Sequence, residues 1–332
     1  ADGFVLDGEP RDIDLTYRDQ DTPVVTFDSE WQNSRQKAKV IVTKKEKDSD
    51  RVLEGGVFAL CAKEDIKNTD GDVLVKADTI MEQKATDKDG KIFFTADLPV
   101  GGSFYVKEVK APAGFVTTEE VKEFTFEYAG ADVPEVTFEH TFENEATIFE
   151  ITKSDLTTGV ELDGATLTVL DKDGNEIDKW TSVKGEPHII KRLHVGETYI
   201  LREEFAPYGY LKAEEVEFTI TDTAEIQKVE MKDDVPIGRI IINKKGEFLS
   251  EVSWNDMVAG AMDSIWGYVT GSLKDVTFEI YAREDIKAAD GESDDYYKKD
   301  ELVATVTTDE MGIAKVENLP VGKYYVVEAG TA

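Results

Sequence analysis

Residues Phe104–Phe115 read FYVKEVKAPAGF. The stretch returns as YILREEFAPYGY at Tyr199–Tyr210 and, shortened, as YYVVEAGTA from Tyr324 to Ala332. Each copy alternates apolar and polar residues as a half-buried β-strand does. Each alternation runs into a glutamate: Glu108, Glu203 and Glu328. In the two whole copies a proline follows four positions later (Pro112, Pro207), and then a Gly-aromatic pair. The glutamate falls on the side of the strand that reads as core. A buried carboxylate is costly unless it is paired or does chemical work, so its partners are sought in the flanking sequence.

Strand signals dominate on both sides. KVIVTKK (39–45), GKIFFTADL (90–98), EVEFTIT (215–221) and RIIINKK (239–245) are rich in Val, Ile, Phe and Thr and are separated by DG, GG and PxG turns. That pattern predicts an all-β fold of sandwich type. It also repeats. A unit opens with an apolar strand ending in lysine (Lys44, Lys153, Lys244). A second strand follows: EGGVFALCAKED (54–65), DGATLTVLDKDG (163–174) or KDVTFEIYARED (274–285). The glutamate stretch comes next. A last strand ends in an amide or carboxylate, FEHTFEN to Asn144 and KVEMKD to Asp233.

This order places complete domains at 38–147 and 148–236. Residues 1–37, with a strand expected at TPVVTFD (22–28) and Asn33 in the acceptor position, read as the back part of a domain. Residues 237–332 read as a front part. Set in tandem, EAGTA and ADGF nearly rebuild one glutamate stretch. Two readings follow: a split domain closed between neighbouring chains, or one period of a longer tandem protein. Between Lys244 and the strand at 276, residues 248–272 break the repeat. Trp254, Met257, Ala261, Met262, Ile265, Trp266 and Val269 fall near helical spacing, which predicts an inserted helix, either packed on the sandwich or exposed to a partner.

A net charge of −32 over 332 residues argues against nucleic acid and against anionic membranes, both of which need a basic footprint. No apolar run reaches membrane-spanning length. One cysteine, Cys61, excludes an intrachain disulfide, and its apolar setting reads as core. His140, His188 and His194 lack the spacing of a catalytic triad or metal site, and His188 and His194 read as surface residues. The acidic turns NTDGD (68–72) and DGESDD (290–295) lack a full EF-hand loop and read as solvated turns. Neither a metal nor a cofactor is expected, and no turnover of an external substrate.

Lysine, glutamate and Asn/Asp thus recur in fixed order on the first, a late and the last strand. In a sandwich the first and last strands can be neighbours, which would bring all three side chains together in the core. Burial favours the neutral amine of lysine, a nucleophile, and the neutral form of the glutamate, a proton shuttle. Loss of ammonia from Asn, or of water from Asp, would leave an amide bond to lysine. The same residues also fit a buried salt-bridge triad without a covalent bond.

The ordered set resembles the B-type repeat of Gram-positive collagen adhesins and pilins, the SpaA-like prealbumin-type sandwich. The matching features are the ITKSD-type start at the three lysines, the GATLTV/GGVFAL strand, the LPVG turn (98–101, 319–322), the KEVKAPAGF and REEFAPYGY boxes, and the final Asn/Asp. The resemblance implies tandem Ig-like or prealbumin-like β-sandwich domains in an elongated rod. It implies isopeptide bonds Lys44–Asn144 and Lys153–Asp233, promoted by Glu108 and Glu203. A third would join Lys244 to Asn33, in trans or from a neighbouring repeat, with Glu328 beside them. The third box, EAGTA, departs from the pattern by lacking the proline. The implied role is a stalk or fibre segment at the bacterial cell surface, whose partners are neighbouring repeats or copies of itself set head to tail. An adhesin that binds a host ligand through 248–272 is the alternative.

Overall fold

The computed structural model describes residues 3–254 and 264–331, and among them every regular element is a strand. By compactness the chain divides into two units. One comprises residues 1–150, 189–198 and 219–227; the other comprises 151–188, 199–218 and 228–332.

The first repeat contains β1 (Lys37–Glu46), β2 (Val57–Ala62), a small ribbon of β3 (Ile66–Lys67) and β4 (Val73–Val75), then β5 (Ile80–Ala85), β6 (Lys91–Phe94), β7 (Ser103–Lys110), β8 (Val121–Thr125) and β9 (Glu135–Asn144). Two sheets, β6-β1-β9 and β5-β2-β7-β8, face each other. Between them lie Val40, Val42, Phe58, Leu60, Phe104, Val106, Phe126 and Phe142. Their alternation along each strand is the period-two signal of a face turned inward. The first and last strands, β1 and β9, are parallel neighbours in unbroken register, Lys37 opposite Glu135 through Glu46 opposite Asn144.

The second repeat contains β10 (Ile148–Asp155), β11 (Thr166–Asp171), β12 (Glu176–Thr181), β13 (His188–Lys191), β14 (Thr198–Phe205), β15 (Val216–Thr219) and β16 (Gln227–Asp233). Its sheets run β13-β10-β16 and β12-β11-β14-β15, the strand order of the first repeat.

The third contains β17 (Ile237–Asn243), β18 (Lys245–Trp254), β19 (Ser264–Ser272), β20 (Val276–Ala282), β21 (Leu302–Thr307), β22 (Ile313–Pro320) and β23 (Tyr324–Thr331). Here the sheets are β17-β22 and β21-β20-β23. Among the described residues β17 has one sheet neighbour where β1 and β10 have two. β23 has one where β7 and β14 have two.

Two expectations are corrected. The described residues of segment 248–272 are not helical: β18 and β19 pair as an antiparallel ribbon, Phe248 opposite Val269 and Val252 opposite Trp266. β-branched and aromatic residues favour this pleated surface. Gly271 has no Cβ where one would sit 2.9 Å from the Phe248 ring, so the ring can lie across the ribbon. The ribbon is an extension of a shared turn. Leu53, Leu162 and Leu273 each donate their backbone N–H to the carbonyl of Lys44, Lys153 or Lys244, and the intervening chain is short in the first two repeats and long in the third. Met257, Ala261 and Met262 lie outside the described residues.

The strand expected at 22–28 is not formed. A strand needs a neighbour to satisfy its backbone, and this stretch has no ladder partner among the described residues.

The N-terminal segment does form one ordered joint. Val5 N–H donates to Ser34 O (2.8 Å), and Gln36 N–H donates to Gly3 O (3.0 Å). The bonds Val116 N–H to Glu145 O (2.9 Å) and Thr147 N–H to Gly114 O (3.0 Å) repeat this pattern after the first repeat. Leu211 N–H to Asp234 O (2.8 Å) repeats its first bond after the second.

Candidate functional site

Each candidate side chain is one inward step beyond an apolar one. On β1 the inward series is Val40, Val42, Lys44. On β7 it is Phe104, Val106, Glu108, and on β9 it ends Phe142, Asn144. The second repeat uses Phe149, Ile151, Lys153 on β10, Tyr199, Leu201, Glu203 on β14, and Met231, Asp233 on β16. Strand periodicity thus carries three polar groups to one end of each core. Lys44 is held there by its backbone N–H, which donates to Gly90 O (2.7 Å). Gly90 has φ +67° and passes so close that a Cβ would lie 2.8 Å from Lys44 O.

In the first repeat the structure brings Lys44, Glu108 and Asn144 together in the interior. Lys44 Nζ lies 3.5 Å from Glu108 Oε1. Glu108 Oε2 accepts the Asn144 side-chain amide (2.9 Å) and the Thr118 backbone N–H (2.8 Å). Lys44 Nζ and Asn144 Oδ1 are buried and make no hydrogen bond. Burial pushes the Lys44 ammonium down to about 8 against the opposing pull of Glu108. Phe58, opposite Glu108 on β2, forms an apolar wall with its ring centroid 5.8 Å from Lys44 Nζ.

In the second repeat Lys153 Nζ stands 3.1 Å from Glu203 Oε1 and is in contact with Asp233 Oδ1. Glu203 Oε2 accepts the Ala213 backbone N–H at 2.7 Å. Burial raises the Asp233 carboxyl to about 6, with Glu203 adding to the rise and Lys153 opposing it. Leu167 faces Glu203 where Phe58 faces Glu108.

The backbone donors of Thr118 and Ala213 were not visible in the sequence. Each lies ten positions after its glutamate, and that spacing is the only trace.

The third set is incomplete. Lys244 Nζ meets Glu328 Oε2 at 2.8 Å, but their side chains are 28% and 41% exposed, against 0% for both Lys44 and Glu108. Asn33 is exposed and belongs to the other compact unit.

Other candidates sort simply. Cys61 is buried and burial raises its thiol pKa. His188 is half-buried, stacked on Trp180 at 4.0 Å and bonded to Asp178, whereas His194 is exposed. Asn68 and Asp290 accept N–H groups of their own turns. Among the described residues no three His, Cys, Asp or Glu side chains gather as metal ligands.

The fold and these interior Lys–Glu–Asn/Asp clusters define a tandem β-sandwich repeat protein. The SpaA prealbumin-like fold domain matches residues 38–141, 147–235 and 268–332, well over half of the chain, and the chain belongs to that family. A search of curated proteins finds no match. Among solved structures, the Bacillus anthracis TIE protein is 25% identical, with TM-score 0.47, over 90% of this chain and 46% of that one. This chain therefore spans about half the length of that relative. A streptococcal ancillary pilin is 25% identical, with TM-score 0.28, over 60% of this chain and 63% of that one. The shaft pilin SpaA of Lactobacillus rhamnosus GG is 15% identical, with TM-score 0.27, over 60% of this chain and 98% of that one.

Proposed function

We propose that this chain is a load-bearing stalk segment of a Gram-positive cell-surface protein, of pilin or adhesin type, whose first two repeats seal themselves with isopeptide bonds. One observation carries the reading. Lys44 Nζ is fully buried without a hydrogen bond, beside a glutamate that already holds the Asn144 amide. The Asn144 carbonyl oxygen is left without a donor, and Lys44 Nζ has an ion-pair partner in Glu108 at 3.5 Å but no hydrogen bond, so both are costly to bury as separate groups. Condensation converts the amine into a neutral amide with a single N–H, which Glu108 is placed to accept.

The chemistry balances within the site. The neutral Lys44 amine attacks Asn144 Cγ. Glu108, as the carboxylic acid, protonates Oδ1 in the tetrahedral intermediate and relays a proton from Nζ to the leaving nitrogen. As the carbonyl re-forms, Oδ1 returns its proton to Glu108, ammonia departs, and Glu108 ends as it began. In the second repeat the Lys153 amine attacks protonated Asp233, Glu203 relays the proton, and water departs. Each site acts once, on its own chain, so the protein is not a turnover enzyme.

The bond would join the first strand of a repeat to its last. Tension then passes through covalent bonds and largely bypasses the strands between. Closing a loop of about 100 residues removes denatured-state entropy worth about 4–5 kcal/mol on the disulfide scale. Unlike a disulfide, the link resists reduction, which suits an extracellular chain with one cysteine.

Intact mass tests the proposal. The chain is expected to weigh less than its sequence by one ammonia and one water. Glu108→Ala should restore the ammonia and Glu203→Ala the water. A full sequence mass in the unsubstituted chain overturns the covalent reading.

The β18–β19 ribbon favours a second reading, an adhesive module. It exposes Phe248, Leu249, Ile265, Trp266, Tyr268 and Val269. Loss of host-surface adherence on deleting 248–272, with both mass losses intact, would support it.

A further inference from the structure

The segment that aims Glu108 is itself held by loops of the second repeat. After Glu108 the chain leaves β7 and turns at Pro112–Gly114, where Phe115 N–H donates to Pro112 O (3.1 Å). It then returns to the site as Val116-Thr117-Thr118. Two loops meet it there: 192–197, between β13 and β14, and 220–226, between β15 and β16. Both belong to the first compact unit, whereas Lys153, Glu203 and Asp233 belong to the other.

The first loop closes on the turn. Gly114 has φ +83°, and a Cβ there would lie 2.6 Å from Arg192 O, so glycine alone admits the approach. Thr147, buried where the first repeat runs into the second, ties the pieces together. Its N–H donates to Gly114 O (3.0 Å), its carbonyl accepts the Arg192 N–H (3.0 Å), and its hydroxyl donates to Leu193 O (2.6 Å). Arg192 Nη2 donates to both carboxyl oxygens of Glu46 (2.8 and 3.1 Å), and Glu46 stands opposite Asn144 in the β1–β9 ladder.

The second loop reaches the site. Three successive amides divide among three acceptors. Val116 N–H donates to Glu145 O (2.9 Å), Thr117 N–H to Asp222 Oδ1 (2.9 Å), and Thr118 N–H to Glu108 Oε2 (2.8 Å). The first bond fixes the segment beside Asn144. The third holds Oε2, which leaves Oε1 toward Lys44 Nζ. The middle bond comes from the second repeat and anchors the peptide that carries the third.

We infer that the second repeat gates closure of the first, with Asp222 as a positioning residue that acts through the Thr117–Thr118 backbone on Glu108. The inference rests on the isopeptide reading proposed above and adds an order to it. Loops 192–197 and 220–226 must be in place before Lys44 and Asn144 join at full rate. Sealing then runs against chain order, since the first repeat waits on loops that follow it. Asp222 contributes no atom to the reaction; it fixes the donor that orients the proton relay, and small misplacements of such groups are costly in rate.

The test refolds the whole chain and follows ammonia and water losses by intact mass, with amide exchange at Thr117 and Thr118 in parallel. Asp222→Ala should slow ammonia loss about fivefold, the scale of one exposed hydrogen bond. It should leave water loss unchanged and speed exchange at both amides. Asp222→Asn keeps an acceptor oxygen and should restore both the ammonia rate and the protection, which an effect of charge would not. Ammonia loss at the unsubstituted rate in Asp222→Ala would overturn the gating, as would equal slowing by Asp222→Asn or slowing of both losses. Unchanged exchange at Thr117 and Thr118 in Asp222→Ala would overturn the positioning role alone. No ammonia loss from the unsubstituted chain would overturn the underlying isopeptide reading, and the gating with it.

Discussion

Glu108 accepts the side-chain amide of Asn144 at 2.9 Å. The same carboxyl group stands 3.5 Å from Lys44 through its other oxygen, so one group addresses both the amine and the side-chain amide that the proposed bond would join. A structural ion pair has no need of the second contact.

Replacing Glu108 with Gln keeps the shape and an oxygen for the Thr118 N–H but removes the proton relay. General acid–base catalysis contributes about 10²–10⁴-fold. Glu108→Gln should therefore slow loss of ammonia by about 10²-fold or more, followed by intact mass after refolding. An unchanged rate would remove Glu108 from the chemistry.

The two repeats should respond to pH differently. The Lys44 amine is held down to about 8 by burial, so below that pH it is mostly protonated and unreactive. Closure of the first repeat should quicken about tenfold per pH unit up to about 8 and then level. Asp233 is raised to about 6 by burial, and the form with a leaving hydroxyl is the protonated one. Closure of the second repeat needs protonated Asp233 and the neutral Lys153 amine at once, a pair with the same proton count as their ion pair, so it should change little with pH just above about 6. Refolding across pH, with the ammonia and water losses counted separately, checks both slopes.

Stability should follow the bonds and ignore reductant. Glu203→Ala should lower the stability of the second repeat by about 4 kcal/mol through lost loop closure. Dithiothreitol should leave the melting of the unsubstituted chain unchanged. A melting point that falls with reductant would contradict the assignment.

Gly90 lies against the Lys44 carbonyl at φ +67°. Gly90→Ala should displace the β1 end and cost about 1–3 kcal/mol. It should also retard ammonia loss without affecting water loss from the second repeat, and mass after refolding separates the two.

The ribbon should be dispensable to folding. Trp266→Ser with Tyr268→Ser removes exposed rings and should change stability by less than about 0.5 kcal/mol at each site. Melting curves check this.

Much of the site was legible because its rule is local. An alternating inward face that ends on an apolar residue followed by Lys, Glu or Asn/Asp can be read off β1, β7 and β9 one strand at a time, and the repeat supplied their order. What was not legible depends on partners. Ile265, Trp266 and Val269 suit a helix face as well as a ribbon, and only the pairing from Lys244 outward decides. TPVVTFD has strand composition but lacks a ladder. The donors on Thr118 and Ala213 are backbone groups, which side-chain patterns cannot show.

The parallel run of β1 beside β9 has a mechanical corollary. The chain enters the first repeat at Lys37 and leaves at Asn144, at opposite ends of a ten-residue ladder. A pull on the chain therefore slides the two strands lengthwise instead of peeling them apart. Evenly spaced hydrogen bonds loaded this way share the force and must yield together. Antiparallel terminal strands would present them one at a time. The repeat is thus set in shear by its strand order alone, and it can hold tension whether or not Lys44 is bonded to Asn144.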